Sequence, residues 1–104
     1  MLKIFISQPM KGLSDTQIIE ERKRVIEKLY DMGYEPGSIA IIDSVITDTP
    51  PVNDNISLWY LSKSIELLSG ANIAVFAKGW KDARGCKIEF MCAKKYGISY
   101  ICED

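Results

Sequence analysis

The sequence contains no histidine among its 104 residues. Mechanisms that pair a serine or cysteine nucleophile with a histidine base are therefore excluded, and acid–base chemistry would fall to carboxylates. A transition-metal site is also disfavoured, because Cys86, Cys92 and Cys102 match no zinc-binding spacing. We expect neither a metal nor another cofactor.

Neither charge nor hydrophobicity is concentrated in one part of the chain. The net charge is −1, with 13 basic and 14 acidic residues, so the basic excess typical of nucleic-acid-binding proteins is missing. No apolar run approaches the roughly 20 residues of a membrane span, and no secretion signal precedes the first strand. The odd cysteine count favours free thiols in a reducing compartment. We expect a cytoplasmic protein that binds neither nucleic acid nor membranes.

What the sequence does contain is a regular alternation of apolar strands and amphipathic helices. Ser14 and Gln17 form a capping box, and Gly33, Gly70 and Gly97 are placed to end the three helices. The predicted strands are residues 2–7, 39–43, 73–77 and 98–102. The first helix carries an apolar stripe of Ile18, Val25, Ile26 and Leu29. The second helix starts from a cap at Asn53, Asp54 or Asn55. Its apolar stripe consists of Leu58, Leu61, Ile65 and Leu68.

This pattern predicts a single α/β domain over residues 1–104, with a four-stranded parallel sheet flanked by helices on both faces. Ligands of such sheets bind outside the carboxyl ends of the strands, where the strand order reverses. The loops at residues 8–13 and 78–84 follow the first and third strands. We expect these two loops to adjoin at that edge.

Glu89 is the main candidate for a functional residue. It shares a face of the third helix with Cys86, Cys92, Ala93 and Tyr96, and a charged group on a core-facing stripe must be paired, coordinated or used. The alternative is a partly exposed glutamate near the helix start, which the helix macrodipole would favour. The spacing alone does not decide between the two.

Other candidates have competing structural interpretations. Arg22 interrupts the stripe of the first helix and could reach an anionic ligand. The favoured alternative is that its alkyl stem lies on apolar surface while its guanidinium extends into water. Met10 and Trp80 could wall a flat ligand or pack on neighbouring helices.

The start of the third helix offers two further candidates. Arg84 and Gly85 stand where a helix N-terminus would meet a phosphate, but neither a P-loop nor a dinucleotide fingerprint is present. Cys86 could have a lowered pKa at this terminus, whereas an inert buried thiol is favoured.

Several motifs together resemble the nucleoside 2-deoxyribosyltransferase superfamily, above all its small, phage-type members of unassigned function. They are Ile4-Phe5-Ile6-Ser7-Gln8-Pro9-Met10, the helix at residues 60–68, and Gly79-Trp80 followed by Arg84-Gly85-Cys86 and Glu89. The resemblance covers nearly the whole chain. It implies a flavodoxin-like (Rossmann-like) fold and cleavage of the N-glycosidic bond of deoxynucleosides or their monophosphates, by a glutamate that attacks C1′ of the sugar.

Residue roles follow from the same resemblance. Glu89 matches the nucleophile, and the loop that holds substrate matches Ser7, Gln8, Pro9, Met10 and Gly12. Ser64 stands where relatives carry an assisting aspartate, and Ala83 stands where monophosphate-cleaving relatives carry a serine. Family members are dimers or larger oligomers in which a neighbour helps to complete the site.

Two functional interpretations therefore remain, besides a purely structural role that a carboxylate on an apolar face opposes. The intact element from Arg84 to Glu89 favours an N-glycosidase or transferase. Ser64 and Ala83 favour a protein that binds a nucleotide or nucleotide-derived signal in the same pocket without catalysis. The apolar surface of the second helix, residues 58–68, further predicts self-association, most simply as a two-fold dimer.

Overall fold

The computed structural model describes residues 1–44, 46–52 and 54–104. It confirms the predicted alternation of strands and helices. The elements are β1 (Leu2–Ser7), α1 (Asp15–Asp31), β2 (Ile39–Ile41), α2 (Ile56–Ser69), β3 (Ile73–Phe76), α3 (Arg84–Lys95) and β4 (Ser99–Cys102), with 3-10 turns at Pro36–Ser38 and Trp80–Asp82.

The described strands form one parallel sheet in the order β2-β1-β3-β4. β1 pairs with β2 on one side and with β3 on the other, in a register that sets Ile4 opposite Ile41 and Ile73. The chain thus moves outward from β1 to β2 and then returns past β1 to β3. The strand order reverses between β1 and β3, so the two loops expected to adjoin leave neighbouring strands. The predicted α/β class is confirmed, and the architecture is compatible with a single flavodoxin-like domain.

The core divides into two clusters, one on each face of the sheet. Side chains of a strand alternate between faces, so Ile4 and Ile6 of β1 pack with Val25 and Leu29 of α1. Phe5, between them, points to the opposite face. There it joins the cluster built with α2 and α3, which contains Leu68, Ala74, Phe76, Trp80, Cys86 and Ala93.

The predicted helix boundaries are largely confirmed. The Ser14 hydroxyl accepts a hydrogen bond from the Gln17 amide (3.2 Å), and the Gln17 side chain accepts one from the Ser14 amide (2.8 Å). Gly33 and Gly97 follow α1 and α3 with φ of 108° and 75°, a conformation that glycine adopts without steric cost. Asn55 caps α2 by accepting from the Leu58 amide at 3.0 Å, whereas Asn53 lies outside the described residues.

Three strand ends differ from the prediction. β2 ends at Ile41 rather than at residue 43, and the carbonyl oxygen of Ile42 accepts a hydrogen bond from the Arg22 side chain. β3 ends one residue early, at Phe76, and β4 starts one residue late, at Ser99. One further amide after each of β2 and β3, that of Ile42 and that of Ala77, still donates to a carbonyl of β1.

Two residues assigned to buried stripes are exposed. Leu58 is 61% exposed, because α2 is longer than the strands it covers: 14 residues of helix span about 21 Å, whereas a four-residue strand spans about 13 Å. The first three residues of α2, residues 56–58, are all exposed. Tyr96 is 84% exposed, since it is the C-cap of α3, where the chain turns away at Gly97.

Candidate active site

Glu89 lies inside the protein rather than at the exposed start of a helix. The helix macrodipole acts most strongly in the first turn of a helix. α3 begins at Arg84, so Glu89 lies beyond that turn. The residue is only 6% exposed, and its helix neighbours Cys86 and Ala93 are also buried. The interpretation of Glu89 as an exposed residue stabilised by the helix terminus is therefore wrong.

Two serine hydroxyls hold the carboxylate of Glu89. Ser7, the last residue of β1, donates a hydrogen bond of 2.6 Å to Oε1. Ser64, on α2, donates a hydrogen bond to Oε2. Each carboxylate oxygen thus has one hydroxyl donor, and the site draws on β1, α2 and α3 at the edge where the strand order reverses.

The electrostatic setting of Glu89 is unusual because it lacks a counter-charge. Burial raises the pKa of the Glu89 carboxyl group above its usual value, and the hydrogen bonds from Ser64 and Ser7 offset only part of this effect. Within residues 1–44, 46–52 and 54–104, no charged side chain pairs with Glu89. The other two residues, Val45 and Asn53, have no ionisable side chain.

Cys86 adjoins the site as a buried thiol. Burial raises the pKa of this thiol, and a hydrogen bond with Ser7 offsets the effect only in part. The thiol is therefore neutral at pH 7, in agreement with the favoured interpretation of an inert group. Cys92 and Cys102 are also free.

The loop after β1 meets the loop after β3, as predicted. A Cβ atom built on Gly79 would lie 3.4 Å from Cγ of Pro9, and the amide of Ala77 donates to the carbonyl of Ser7 at 2.8 Å. Gln8 is buried, and its Nε2 donates to the carbonyl of Ile18 at 3.0 Å, which fixes the loop to α1.

The outer part of the same loop faces solvent. Met10 is 47% exposed, and its carbonyl accepts from the Leu13 amide at 3.1 Å to close a tight turn. Gly12 adopts φ of 79° within this turn, a value that an L side chain would strain. Met10 is accordingly placed where a ligand could reach it, while Gly12 shapes the backbone.

Trp80 packs on neighbouring side chains, the second of the two alternatives considered for it, and the little of its ring that is exposed borders a surface cleft. The side chain is 7% exposed and stacks with Phe76 and Phe90, at ring-centroid distances of 5.6 and 4.6 Å. Its Nε1 donates to the carbonyl of Glu103 at 2.7 Å. A buried aromatic with its polar atom satisfied in this way is a core residue.

Arg22 takes neither of the positions considered for it. Its guanidinium donates to the carbonyl of Ile42 (2.6 Å) and to the hydroxyl of Ser44 (3.1 Å), and burial lowers the pKa of the group. The side chain therefore anchors the segment after β2 to α1. It is engaged within the protein rather than directed into water.

Arg84 and Gly85 form the first turn of α3, beside the site. Arg84 is exposed, and Gly85 lies where an added Cβ would sit 3.9 Å from Cδ1 of Leu61 on α2. The N-cap Ala83 provides no side-chain acceptor for the first amides of the helix. Arg84 is thus free to face a ligand, whereas Gly85 permits close packing of α2 and α3.

A second buried carboxylate, Glu103, was missed by the sequence analysis. Both its oxygens accept from the Arg24 guanidinium, at 2.7 and 3.0 Å, and one also accepts from Nζ of Lys28 at 2.9 Å. The backbone amide of Lys78 completes the arrangement at 2.9 Å. These hydrogen bonds lower the pKa of Glu103 to about 2. The only sequence signal was two cations one helical turn apart on α1, which does not identify their partner.

Glu89 does not line either of two surface clefts elsewhere on the molecule. One, of about 220 Å³, lies between α1 and β4 beside Leu29 and Glu103. The other, of about 320 Å³, lies over Trp80 and the outer face of α3. Glu89 is 6% exposed, so little of its side chain is open to solvent.

Comparisons with models of protein families, with curated proteins and with solved structures give no match. Among the described residues, no group of three or more histidine, cysteine or acidic side chains is arranged to hold a metal ion. No helix in the described part of the chain has both the length and the apolar character needed to cross a membrane.

Proposed function

We propose that this protein is a nucleoside or nucleotide N-glycosidase or 2-deoxyribosyltransferase, of the superfamily that its motifs resemble, with Glu89 as the nucleophile. One observation carries the proposal: a buried carboxylate is held by two hydroxyl donors at the edge of the sheet where the strand order reverses between β1 and β3. Ligands of open α/β sheets bind at such a point. A structural carboxylate would be expected to have a cationic partner, as Glu103 has.

The reaction would proceed through a covalent intermediate. An oxygen of Glu89 attacks C1′ of the sugar while the bond from C1′ to the base nitrogen breaks, and water or a second base then displaces the sugar from Glu89. Ser7 and Ser64 fix the orientation of the carboxylate and favour its anionic form. Burial opposes ionisation and makes the anion more reactive than it would be in water.

The substrate would lie along the edge formed by the two adjoining loops. Met10 is exposed there, and Arg84 extends from the open first turn of α3, where amides and a guanidinium would suit a sugar hydroxyl or a phosphate. Ser7, Gln8 and Pro9 would support this surface from beneath. Because Glu89 is only 6% exposed, the residues around it would have to move for substrate to enter, as in many enzymes with closing loops.

A second candidate function is binding of a nucleotide or nucleotide-derived signal without catalysis. It is favoured by the identity of the groups around Glu89, which are hydroxyls where a glycosidase would carry a second carboxyl group. The proposed site and its ligand class are the same in both proposals. Only bond cleavage separates them.

We also propose that the protein self-associates and that it is located in a reducing cytoplasm. Near the start of α2, Ile56, Leu58 and Tyr60 are 58%, 61% and 41% exposed, and a second copy of the chain would cover such side chains. The three free cysteines agree with a reducing compartment.

A screen for released base tests the proposed function. The protein would be incubated with 2′-deoxynucleosides and their 5′-monophosphates, and free base would be separated by chromatography. We expect release by the wild type and a loss of at least about a hundredfold in Glu89→Gln, which keeps the shape but removes the attacking oxygen. Glu27→Gln, the same change at an exposed position of α1, is the control and should act like the wild type.

Binding separates the two candidate functions. If the wild type and Glu89→Gln both bind nucleotides and neither releases base, the non-catalytic function is supported. If no nucleoside or nucleotide binds at millimolar concentration, both proposals fail.

A further inference from the structure

We propose, on the basis of the function proposed above, that the substrates of this site are N-glycosides whose base already carries a positive charge. Pyridinium glycosides and N-alkylated purine glycosides belong to this class. Two independent features of the Glu89 site lead to this inference: among the residues that the structure describes, neither hydrogen-bond partner of Glu89 can protonate a departing base, and no cation pairs with the buried carboxylate.

The first feature is the missing acid. Cleavage of a neutral nucleoside is assisted by protonating the base as it leaves, which is the task of the second carboxyl group in retaining glycosidases. Ser7 and Ser64, the hydrogen-bond partners of Glu89, are hydroxyls and do not give up a proton near pH 7. Cys86, which interacts electrostatically with Glu89, has a pKa raised by burial, and the sequence offers no histidine.

A cationic base removes the need for that acid. An oxygen of Glu89 forms a bond to C1′, the bond from C1′ to the base nitrogen breaks, and its electron pair neutralises the positive nitrogen. The base departs uncharged without receiving a proton. Water then attacks C1′, the ester bond to Glu89 breaks with return of the carboxylate, and one proton passes to solvent.

The second feature is the missing counter-charge. Glu103, the other buried carboxylate, is paired with Arg24 and Lys28, and its pKa is correspondingly lowered. Among the residues that the structure describes, Glu89 has no such partner, and ionising it costs desolvation free energy that only the two hydroxyls offset. A cationic ligand would supply the charge. The site thus favours the substrate class that also needs no acid.

Turnover of matched substrates is the first test. Nicotinamide riboside is cationic and inosine is neutral. Each would be assayed together with its 2′-deoxy counterpart. Because general-acid assistance contributes about 10²–10⁴ in rate, we expect kcat/KM for the cationic glycoside to exceed that for the neutral one by at least about a hundredfold. Equal values would overturn the inference and leave the proposed function standing.

A comparison of Ser64→Asp with the wild type cancels the intrinsic difference in reactivity between these substrates, because that difference is the same for both proteins. The variant places a carboxyl group beside Glu89, where it can hold a proton for the leaving base. We expect its ratio of cationic to neutral kcat/KM to fall by at least about tenfold from that of the wild type. An unchanged ratio in a folded variant that still cleaves the cationic glycoside would contradict the inference.

Binding gives a readout that does not depend on turnover. N1-methylnicotinamide and nicotinamide differ by the methyl group that creates the charge, and calorimetry would compare them on the wild type, Glu89→Gln and the control Glu27→Gln. We expect tighter binding of the cation to the wild type and to the control, by about tenfold, and no preference in Glu89→Gln.

The results distinguish the two proposals. Selective binding of the cation through Glu89 without any base release would refute the proposed enzymatic function and support the ligand class. Absence of both binding and turnover would refute both. If Glu89→Gln does not fold by circular dichroism, the Ser64→Asp ratio still decides.

Discussion

The hydroxyl of Ser7 donates a hydrogen bond of 2.6 Å to Oε1 of Glu89 and so joins the end of β1 to the middle of α3 across 82 positions of the sequence. The bond is buried, and it ties the position of the carboxylate to the central strand of the sheet. The orientation of Glu89 therefore depends on the packing of α3 against the sheet. Four predictions follow from this site and from the charges and surfaces around it.

Glu89→Gln should stabilise the protein at neutral pH. Burial raises the pKa of Glu89, so the stability that the protonated form provides is fully present below the unfolded value of 4.5 and is lost as the pH rises through the folded pKa. A glutamine has no such dependence. In thermal melts, the stability of the variant relative to the wild type should increase between pH 4 and pH 7, and Glu27→Gln is the control. A stability difference that does not change with pH would contradict this expectation.

Ser64→Ala should increase the pKa of Glu89, because it removes a hydrogen bond that favours the anion. It should also destabilise the protein at pH 7, by about 1–3 kcal/mol, since a buried carboxylate oxygen loses its donor. The titration can be followed from the side-chain carbon of Glu89 by nuclear magnetic resonance. Ser62→Ala, at an exposed position of the same helix, should change neither quantity.

Glu103→Gln should destabilise the protein at pH 7 by about 2 kcal/mol. The difference between a pKa of about 2 in the folded protein and 4.5 in the unfolded chain sets an upper limit of about 3 kcal/mol, which we reduce because Arg24 and Lys28 are about half exposed. This stabilisation is present above pH 4.5 and is lost as the pH falls through 2. Urea unfolding at pH 7 and pH 2 measures it, and an equal effect at both values would argue against the ion pair.

Self-association should depend on the exposed end of α2. Sedimentation at micromolar concentration should show a dimer or larger species, and Tyr60→Glu should shift it towards monomer. The control is Ile19→Glu, which changes a 55% exposed residue of α1 on the opposite side of the sheet. A wild type that sediments only as monomer would refute the prediction.

The sequence predicts those parts of the fold that depend on neighbouring residues. The capping box of Ser14 and Gln17 and the stop at Gly97 arise within one helical turn, so their local signals are sufficient. The period-two alternation of β1 likewise sends Phe5 to one face and Ile4 to the other. These features need no knowledge of the rest of the chain.

The features that the sequence left open or missed concern residues whose partners are distant in sequence. The sequence left two alternatives for Trp80, and its burial depends on Phe90 and on the carbonyl of Glu103. The ion pair of Glu103 with Arg24 spans 79 positions and depends on where β4 ends relative to α1. Neither the spacing of charges nor the hydrophobicity of a segment contains that information. The burial of Glu89 was foreseeable from its helix face, whereas its two serine partners required the packed sheet.

The strand order has a consequence for how the chain reaches this structure. Each hydrogen-bonded strand pair of the described sheet joins strands separated by at least one whole helix, and β1 meets β3 only after two helices. Bringing such distant segments together costs loop-closure entropy before any pairing compensates for it. Folding should therefore be slow relative to a helical bundle of equal length. The hydrogen bonds of Ser7 and Ser64 to Glu89 join β1, α2 and α3. They therefore form only when nearly the whole domain has assembled.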